Sequence, residues 1–329
     1  MKTLITGGTG FIGSRLAIRC LERGDAVRVY GKTHTQAEAE NAREIESKGV
    51  EVILGSMTDK DLVTRIVEEI DVVYHLAAAQ HEANVPDQVF WDVNVHGTQA
   101  ILEACQISRV RRFVHGSTIG VYGSALGGMI DEESDVRPDN IYGVTKLEGE
   151  KAVLSFKDNL PVVIIRISET YGPGDRRLLK LFRGIDKNRF FMIGKGHNIH
   201  HLIFVQDLID GFYLAAESPE AVGEIFTLAG REPLTTTEMI GTIAAVLGKR
   251  IPRWRLPLLP FVMTAAVMEA VLRPMGIQPP LHRRRMDFFR KSFLFSQSKS
   301  SEVLGFAPKV SFYDGVKATA EWYRQKRLL

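Results

Sequence analysis

The chain has very few cysteines. Only Cys20 and Cys105 occur among 329 residues, and both lie in apolar stretches that are typical of helices. Their spacing fits neither a zinc site nor a disulfide-stapled secreted fold, which indicates a reduced compartment. A strand and a glycine loop begin at Lys2, so we expect no secretory signal and a cytoplasmic protein.

A large excess of charge of one sign is also missing. The chain has 42 Lys and Arg against 39 Asp and Glu, a formal net charge of +3. Short basic clusters at 109–112 and 282–285 are typical of solvated or ion-paired surfaces. We therefore expect no nucleic-acid partner.

Long uninterrupted apolar runs are absent. The most apolar stretch, residues 256–272, contains Pro257, Pro260 and Glu269. It is too short to span a bilayer core of about 30 Å comfortably. We expect a buried helix, a wall of a substrate pocket or a dimer face there, and no stable membrane insertion.

Short β-rich runs and longer helical runs alternate along the first half of the chain. The predicted strands are 2–6, 26–30, 50–54, 72–76, 112–115 and 162–167. The predicted helices are 11–23, 37–48, 59–69, 91–106 and 141–156. Strict alternation predicts an α/β fold, a Rossmann-type doubly wound parallel sheet that binds ligands at the carboxyl ends of its strands.

The alternation ends at the turn sequence of residues 171–175. Helices are predicted at 176–187, 207–217 and 261–272, with a loop around 194–196 and many prolines near the C-terminus. We therefore expect a Rossmann-type domain of residues 1–172, to which 201–230 return. Residues 173–200 and 231–329 are predicted to form a smaller substrate-binding lobe.

A glycine-rich loop links the first strand to the first helix. Gly7, Gly10 and Gly13 allow a tight turn, close approach of a diphosphate and close packing of helix on strand. The amides that open the helix, at Phe11 and Ile12, supply donors for the phosphates. The position after a strand and before a helix predicts dinucleotide binding, so the domain of residues 1–172 is expected to be an NAD(P)-binding domain.

The end of the second strand lacks the acidic residue that usually accepts hydrogen bonds from the ribose of NAD. Lys32 stands there instead, and Arg15 on the first helix offers a second cation. The pair predicts NADP in preference to NAD as the cofactor. The alternative, that both are solvated surface charges, stays open.

Tyr142 and Lys146 are four residues apart on a helix that follows the possible caps Asp139 and Asn140. This spacing places both side chains on one face, where an ammonium group lowers the pKa of the phenol toward the range of an acid/base catalyst. Tyr313 and Lys317 have the same spacing, but only the first pair follows a strand that ends in hydroxyl residues. We therefore predict that Tyr142 and Lys146 are catalytic.

Six motifs occur in order along the chain: TGGTGFIG at 6–13, DVVYHLAA at 71–78, NVHGT at 94–98, GSTIGVYG at 116–123, YGVTK at 142–146 and YGPGD at 171–175. With them the chain resembles the extended short-chain dehydrogenase/reductase superfamily, in the NAD-dependent epimerase/dehydratase family. The tail is similar to the 3β-hydroxysteroid dehydrogenase-like branch. The resemblance covers nearly the whole length and implies an NAD(P)-dependent enzyme.

The resemblance also implies roles for individual residues. Thr118 matches the hydroxyl residue that holds the substrate oxygen, Ser117 is a possible substitute, and Lys146 also binds the cofactor ribose. Further cofactor or framework positions are Ser56 and Met57 at the adenine, Leu76, Ala77 and Ala78 along the cofactor, and Asn94 in the active-site framework. Helices 91–106 and 141–156 pair between subunits in related proteins, so a homodimer is expected by analogy.

Departures from the family pattern limit the reactions and substrates that we expect. Ile119 and Gly120 stand where nucleotide-sugar 4,6-dehydratases of the family carry an Asp-Glu pair, which argues against dehydration. Glu169 stands where many members carry an asparagine, and its charge should repel a substrate diphosphate. We expect Glu169 and His201 to line the substrate pocket.

No metal site is expected, because no carboxylate lies close in sequence to His197, His200 and His201.

The leading interpretation of the whole sequence is a dehydrogenase or reductase whose small-molecule substrate is a secondary alcohol or its ketone. The alternative is a nucleotide-sugar epimerase that retains its cofactor, and a cofactor-binding regulator without turnover is a third possibility.

Overall fold

The computed structural model describes residues 1–80, 85–124, 128–251, 254–272, 275, 277 and 286–329. The basic cluster at 282–285 lies outside the described residues. The strands are β1 Lys2–Thr6, β2 Ala26–Gly31, β3 Glu51–Leu54, β4 Val72–His75, β5 Arg112–Thr118, β6 Val162–Ile167, β7 Thr170–Tyr171, β8 Met192–Ile193, β9 Ile199–His200, β10 Ile203–Phe204, β11 Ile225–Leu228, β12 Leu234–Thr235 and β13 Arg255–Leu256.

The α-helices are α1 Phe11–Glu22, α2 Gln36–Glu46, α3 Lys60–Ile66, α4 Asp87–Trp91, α5 Gly97–Ile107, α6 Ile141–Ser155, α7 Leu179–Asp186, α8 Val205–Glu217, α9 Thr236–Leu247, α10 Leu258–Leu272, α11 Ser298–Leu304 and α12 Phe312–Gln325. A π-helical turn, Asp92–His96, lies between α4 and α5, and 3₁₀ turns occur at Ile119–Tyr122 and Pro219–Ala221.

Seven parallel strands form one sheet in the order β11-β6-β5-β4-β1-β2-β3. The predicted doubly wound α/β fold is therefore confirmed. The chain builds outward from β1 in one direction and then from β4 in the other, so the order reverses between these two strands. Their connections leave on opposite sides, which opens a crevice at the carboxyl ends where such folds bind ligands.

Both faces of the sheet are covered by helices, and each face has its own apolar core. Leu16 of α1 and Phe212 of α8 belong to one core, whereas Ile101 of α5 and Val153 of α6 belong to the other. Every residue of β6 but the last is buried, because a central parallel strand is covered on both sides. This burial fixes the strand ends that carry the site.

A third apolar cluster joins α7, α9 and α12 through side chains such as Phe182, Ile243 and Tyr323. Helix α9 was not among the predicted elements, although Thr235 and Glu238 form a capping box that could have revealed its start. The division of the chain into a cofactor domain and a substrate lobe remains a prediction.

The apolar helix near the C-terminus, α10, is more exposed than a buried helix would be. Leu259, Met263 and Val267 are each more than 60% exposed, and Ala265 is its one buried residue. Of the three expectations for this stretch, the buried helix is therefore wrong, and the wall of a substrate pocket and the dimer face remain predictions. Within the described ranges, no helix combines the length and the apolar character needed to cross a membrane.

Candidate active site

The glycine loop joins β1 to α1 beside the end of β4. Gly7 has a φ of +68°, and a Cβ there would lie 2.7 Å from the backbone of Leu76 and Ala77. A Cβ on Gly13 would lie 2.5 Å from the carbonyl oxygen of Gly7. These contacts require glycine, since any side chain would push the loop away from its neighbours.

Helix α1 begins at Phe11, directly after Gly10, and carries neither a side-chain cap nor an acidic residue in its first turn. The first amides of the helix, which include those of Phe11, Ile12 and Gly13, therefore keep their donors and the positive end of the helix dipole for an anion. The donor set and the close-packed glycines fit the diphosphate of a dinucleotide.

Asn94 braces the segment that follows β4. Its Oδ1 accepts a hydrogen bond from Ala79 N at 2.8 Å, and its Nδ2 donates to Ala79 O at 3.1 Å and to Thr145 Oγ1 at 3.0 Å. Asn94 is fully buried, and its bonds tie Ala79, which directly follows the predicted cofactor segment of Leu76 to Ala78, to Thr145 of helix α6. The arrangement agrees with a framework role.

Asn94 lies in the π-helical turn Asp92–His96, where the sequence predicted one continuous helix over 91–106. A π turn is a local insertion within a helix, and it often occurs at functional sites. Apolar spacing does not reveal such a turn, because the turn is defined by its backbone hydrogen bonds over only five residues.

Thr118 ends β5 and leads into a 3₁₀ turn. Its Oγ1 accepts a hydrogen bond from Gly120 N at 3.0 Å, which leaves the hydroxyl proton for another acceptor. A Cβ on Gly120 would lie 3.3 Å from Thr118 Oγ1 and 4.0 Å from Tyr142 Cδ1. The structure therefore brings Thr118 and Tyr142 together around Gly120.

Helix α6 carries Tyr142 and Lys146 toward β5. Asn140 caps the helix by accepting a hydrogen bond from Gly143 N at 3.0 Å, as predicted for a cap at this position. A Cβ on Gly143 would lie 2.6 Å from Gly120 O, so glycine lets the helix approach the 3₁₀ turn. The close approach places the start of α6, which carries Tyr142, against the turn that follows Thr118.

Lys146 is buried, with 1% of its surface exposed. Its Nζ donates hydrogen bonds to Gly116 O at 2.8 Å and to His115 Nε2 at 3.2 Å. Burial lowers the pKa of Lys146 to about 8, although the negative charge of Glu150 opposes this shift. At neutral pH the amine is therefore charged and held at the end of β5.

A buried ion pair supports this region. Arg166 Nη2 on β6 lies 2.9 Å from Glu150 Oε2 on α6, and both side chains are almost fully buried. Ser117 Oγ donates to Glu150 Oε1 at 2.5 Å, and Arg166 Nη1 donates to the Tyr122 hydroxyl at 2.9 Å. Ser117 thus donates its hydroxyl proton to this network, and its role as a substitute for Thr118 remains a prediction. Sequence reasoning missed the pair because its members lie on different elements.

The predicted substrate residues have different surroundings. Glu169 is 40% exposed, and its Oε2 lies 2.9 Å from Nδ1 of the buried His200. His201 is 4% exposed, its Nε2 donates to Gly230 O, and its Nδ1 accepts from Phe295 N. Both ring nitrogens of His201 are therefore used inside the protein. His200, rather than His201, is the histidine that accompanies Glu169.

Among the residues predicted near the adenosine, Lys32 follows β2, Ser56 and Met57 follow β3, and Arg15 lies on α1. Arg15 makes a bidentate ion pair with Glu44, with distances of 3.2 and 2.8 Å, so its charge is already balanced. Within the described residues Lys32 has no ion-pair partner. Met57 is buried and Ser56 Oγ lies 2.8 Å from Thr58 Oγ1. Arg15 is thus paired with a carboxylate in the structure, and its contact with the cofactor remains a prediction.

Across the part of the chain that the structure describes, no three His, Cys, Asp or Glu side chains come together in a way that could hold a metal ion. The site is thus described by its hydroxyl, ammonium and amide groups.

Comparison with known proteins identifies relatives along the whole chain. A model of the NAD dependent epimerase/dehydratase family matches residues 3–229. The dTDP-glucose 4,6-dehydratase of Streptomyces niveus is 30% identical over 344 aligned positions, covering 99% of this chain and 94% of the relative. The decarboxylating sterol-4-alpha-carboxylate 3-dehydrogenase of Mus musculus is 26% identical, covering 99% and 92%.

Among solved structures, the UDP-glucuronic acid 4-epimerase from Bacillus cereus in complex with NAD superposes with a TM-score of 0.81 at 27% identity. The match covers 99% of each chain. The similarity therefore extends over the glycine loop, the strand ends and the C-terminal helices alike.

Proposed function

Because the chain belongs to the NAD-dependent epimerase/dehydratase family, we propose that this enzyme transfers a hydride between a nicotinamide cofactor and the carbon of a secondary alcohol or its ketone. The observation that carries the proposal is the position of Thr118 and Tyr142 around Gly120, with the buried Lys146 one helical turn further along α6. The group lies at the carboxyl end of β5, two strands from the glycine loop after β1.

Each side chain has a distinct role in the proposal. A bound nicotinamide supplies or accepts the hydride. The Tyr142 phenol gives its proton to the ketone oxygen, or takes one from the alcohol, and the Lys146 ammonium stabilises the phenolate by its charge. Thr118 donates its hydroxyl proton to the same substrate oxygen, since its own oxygen already accepts from Gly120 N.

The glycine loop and the uncapped start of α1 support a dinucleotide cofactor. The related structure from Bacillus cereus holds NAD, and Arg15 is paired with Glu44. The preference for NADP is therefore not supported by these findings, and it depends on Lys32 alone. We keep NADP as a proposal to be tested against NAD by measuring binding of both reduced cofactors.

Glu169 favours a substrate without a diphosphate close to this carboxylate. Its side chain is 40% exposed and held by His200, so an anionic group placed beside it would be repelled. A dehydrogenase of an alcohol that lacks phosphate, comparable in class to the sterol enzyme from mouse, satisfies this condition. Glu169 therefore supports a dehydrogenase over a nucleotide-sugar enzyme.

The alternative function is a nucleotide-sugar epimerase, which the names of several relatives favour. The two functions differ in cofactor use. A dehydrogenase changes the nicotinamide absorbance continuously as it consumes a 3β-hydroxysterol or a similar alcohol. An epimerase converts UDP-glucose or UDP-glucuronic acid without net change in that absorbance. Screening both substrate groups with both cofactors distinguishes them.

Replacement of Tyr142 by Phe tests the proposed chemistry. We expect turnover to fall at least about 100-fold, because the proton carrier is removed, while the Kd of the cofactor stays nearly unchanged. Tyr313→Phe is the matched control, since Tyr313 is 54% exposed on α12 and also precedes a lysine by four residues. Full activity of Tyr142→Phe would refute the assignment.

A further inference from the structure

The buried side chain of His115 contacts Lys146, and the proposed function does not use it. His115 lies on β5, three residues before Thr118, and is fully buried. Its Nε2 lies 3.2 Å from Lys146 Nζ. Its Nδ1 is buried without a hydrogen-bond partner in the described structure. One nitrogen of this imidazole is therefore used, and the other is not satisfied.

Packing alone does not explain a histidine at this position. An unpaired buried nitrogen carries a desolvation cost that an apolar ring of similar size would avoid. Phe113 is two residues earlier on the same face of β5, and the rings of Phe113 and His115 both pack near His75, with centroid distances of 5.7 and 5.3 Å. A phenylalanine side chain would fit these surroundings without the desolvation cost. We therefore explain the histidine by its contact with Lys146.

His115 is well suited to accept a hydrogen bond. Burial and the positive charge of Lys146 hold the pKa of His115 well below 6.5, so its ring is neutral. Because the Lys146 ammonium can only donate, the facing Nε2 must be the unprotonated nitrogen. The buried ammonium thereby gains a second acceptor beside the carbonyl of Gly116.

We propose that His115 is a positioning residue for the catalytic lysine: its Nε2 accepts a hydrogen bond from Lys146 Nζ and fixes the ammonium group at the end of β5. The inference rests on the proposed function, because it assumes that the charge of Lys146 assists Tyr142. It predicts a loss of catalysis without a matching loss of folding when the acceptor is removed.

Two substitutions separate the acceptor from the ring. His115→Phe keeps an aromatic ring but removes Nε2, so we expect kcat to fall roughly tenfold, the cost of one hydrogen bond to a charged group. The KM for the cofactor should change much less. His115→Gln retains an acceptor at a similar reach and should restore most of the activity. Phe113→Leu is the packing control, and it should change the thermal unfolding midpoint without changing kcat.

The pH profile gives a readout that a purely structural role would not move. Glu150, on the same helix, raises the pKa of Lys146 against the effect of burial, and the charge of Lys146 adds to burial in lowering the pKa of His115 on β5 and of His75 on β4. Loss of the acceptor disfavours the ammonium form, so the alkaline fall of activity should move to lower pH in His115→Phe and stay in place in His115→Gln.

Nitrogen NMR of the histidines tests the contact without any substrate. The wild-type protein should show His115 Nε2 unprotonated and Nδ1 protonated, and the Nε2 signal should shift in Lys146→Met. A proton on Nε2 in the wild type would overturn the proposal. Should His115→Phe fail to fold, the NMR signal and His115→Gln still decide the question.

The activity data distinguish this inference from the function on which it rests. An inactive Lys146→Met together with a fully active His115→Phe, with an unmoved pH profile, would refute the role of His115 and leave the proposed chemistry intact. Full activity of Lys146→Met would refute both.

Discussion

Two helices of this protein carry the same pattern of tyrosine, lysine and glutamate at four-residue intervals. The first set is Tyr142, Lys146 and Glu150 on α6, and the second is Tyr313, Lys317 and Glu321 on α12. On α6 the lysine and the glutamate are 1% and 2% exposed. On α12 all three side chains are exposed. The same spacing thus produces opposite environments.

The difference arises from the face that each helix presents to its neighbours. Helix α12 packs through Phe312, Val316 and Tyr323 against the cluster of α7 and α9, which turns the patterned face to solvent. Helix α6 lies against β5 and β6, where Lys146 and Glu150 find partners. Spacing therefore defines a face, whereas packing decides whether that face becomes a site. The following predictions test this comparison.

The largest expected effect concerns the two glutamates. Glu150→Gln breaks a buried ion pair and leaves Arg166 without its charged partner, so the free energy of unfolding should fall by about 3–5 kcal/mol. Glu321→Gln removes an exposed charge and should change it by less than about 0.5 kcal/mol. Urea denaturation followed by circular dichroism measures both. Equal losses of unfolding free energy in the two variants would show that the environments of Glu150 and Glu321 do not differ.

The two lysines should differ in catalysis. Lys146→Met removes the charge that stabilises the Tyr142 phenolate, so turnover should fall by about 100-fold, equivalent to about 2.7 kcal/mol of activation free energy. Lys317→Met should retain wild-type turnover. Steady-state kinetics with saturating cofactor measure both variants, and comparable activities would contradict the assignment of α6 as the catalytic helix.

The pH dependence sharpens the same contrast. Burial lowers the pKa of Lys146 from 10.5 to about 8, so its ammonium form is present below that pH and is lost above it. Turnover should therefore decline as pH rises through about 8, by about tenfold one pH unit higher. Lys317→Met should follow the same profile. A rate that is constant up to pH 10 would show that the charge of Lys146 is not required.

The smallest expected effect concerns a third lysine, Lys32, which is neither buried like Lys146 nor part of a helix. If it contacts a 2′-phosphate, Lys32→Ala should raise the Kd of NADPH by up to about fivefold, the range of an exposed ion pair. The Kd of NADH should stay unchanged. Fluorescence titration measures both, and equal changes would remove the last support for NADP.

Much of the fold could be predicted because it depends on local patterns. β1 and β6 have the bounds that their apolar runs predicted, Lys2–Thr6 and Val162–Ile167. Helix α6 was predicted from its caps and apolar spacing to within one residue. One strand of the seven-stranded sheet, β11, was not predicted, since its four residues give too short a pattern.

The sequence by itself determined the alternation of strands and helices from β1 to β6, the glycine loop and the spacing of Tyr142 and Lys146, because these features depend on neighbours a few residues apart. Only the tertiary structure decided that Arg15 is neutralised by Glu44, that His200 rather than His201 meets Glu169, and that His115 contacts Lys146. Those contacts join residues 29 or more positions apart. Their geometry depends on how helices and strands pack, which no local pattern specifies.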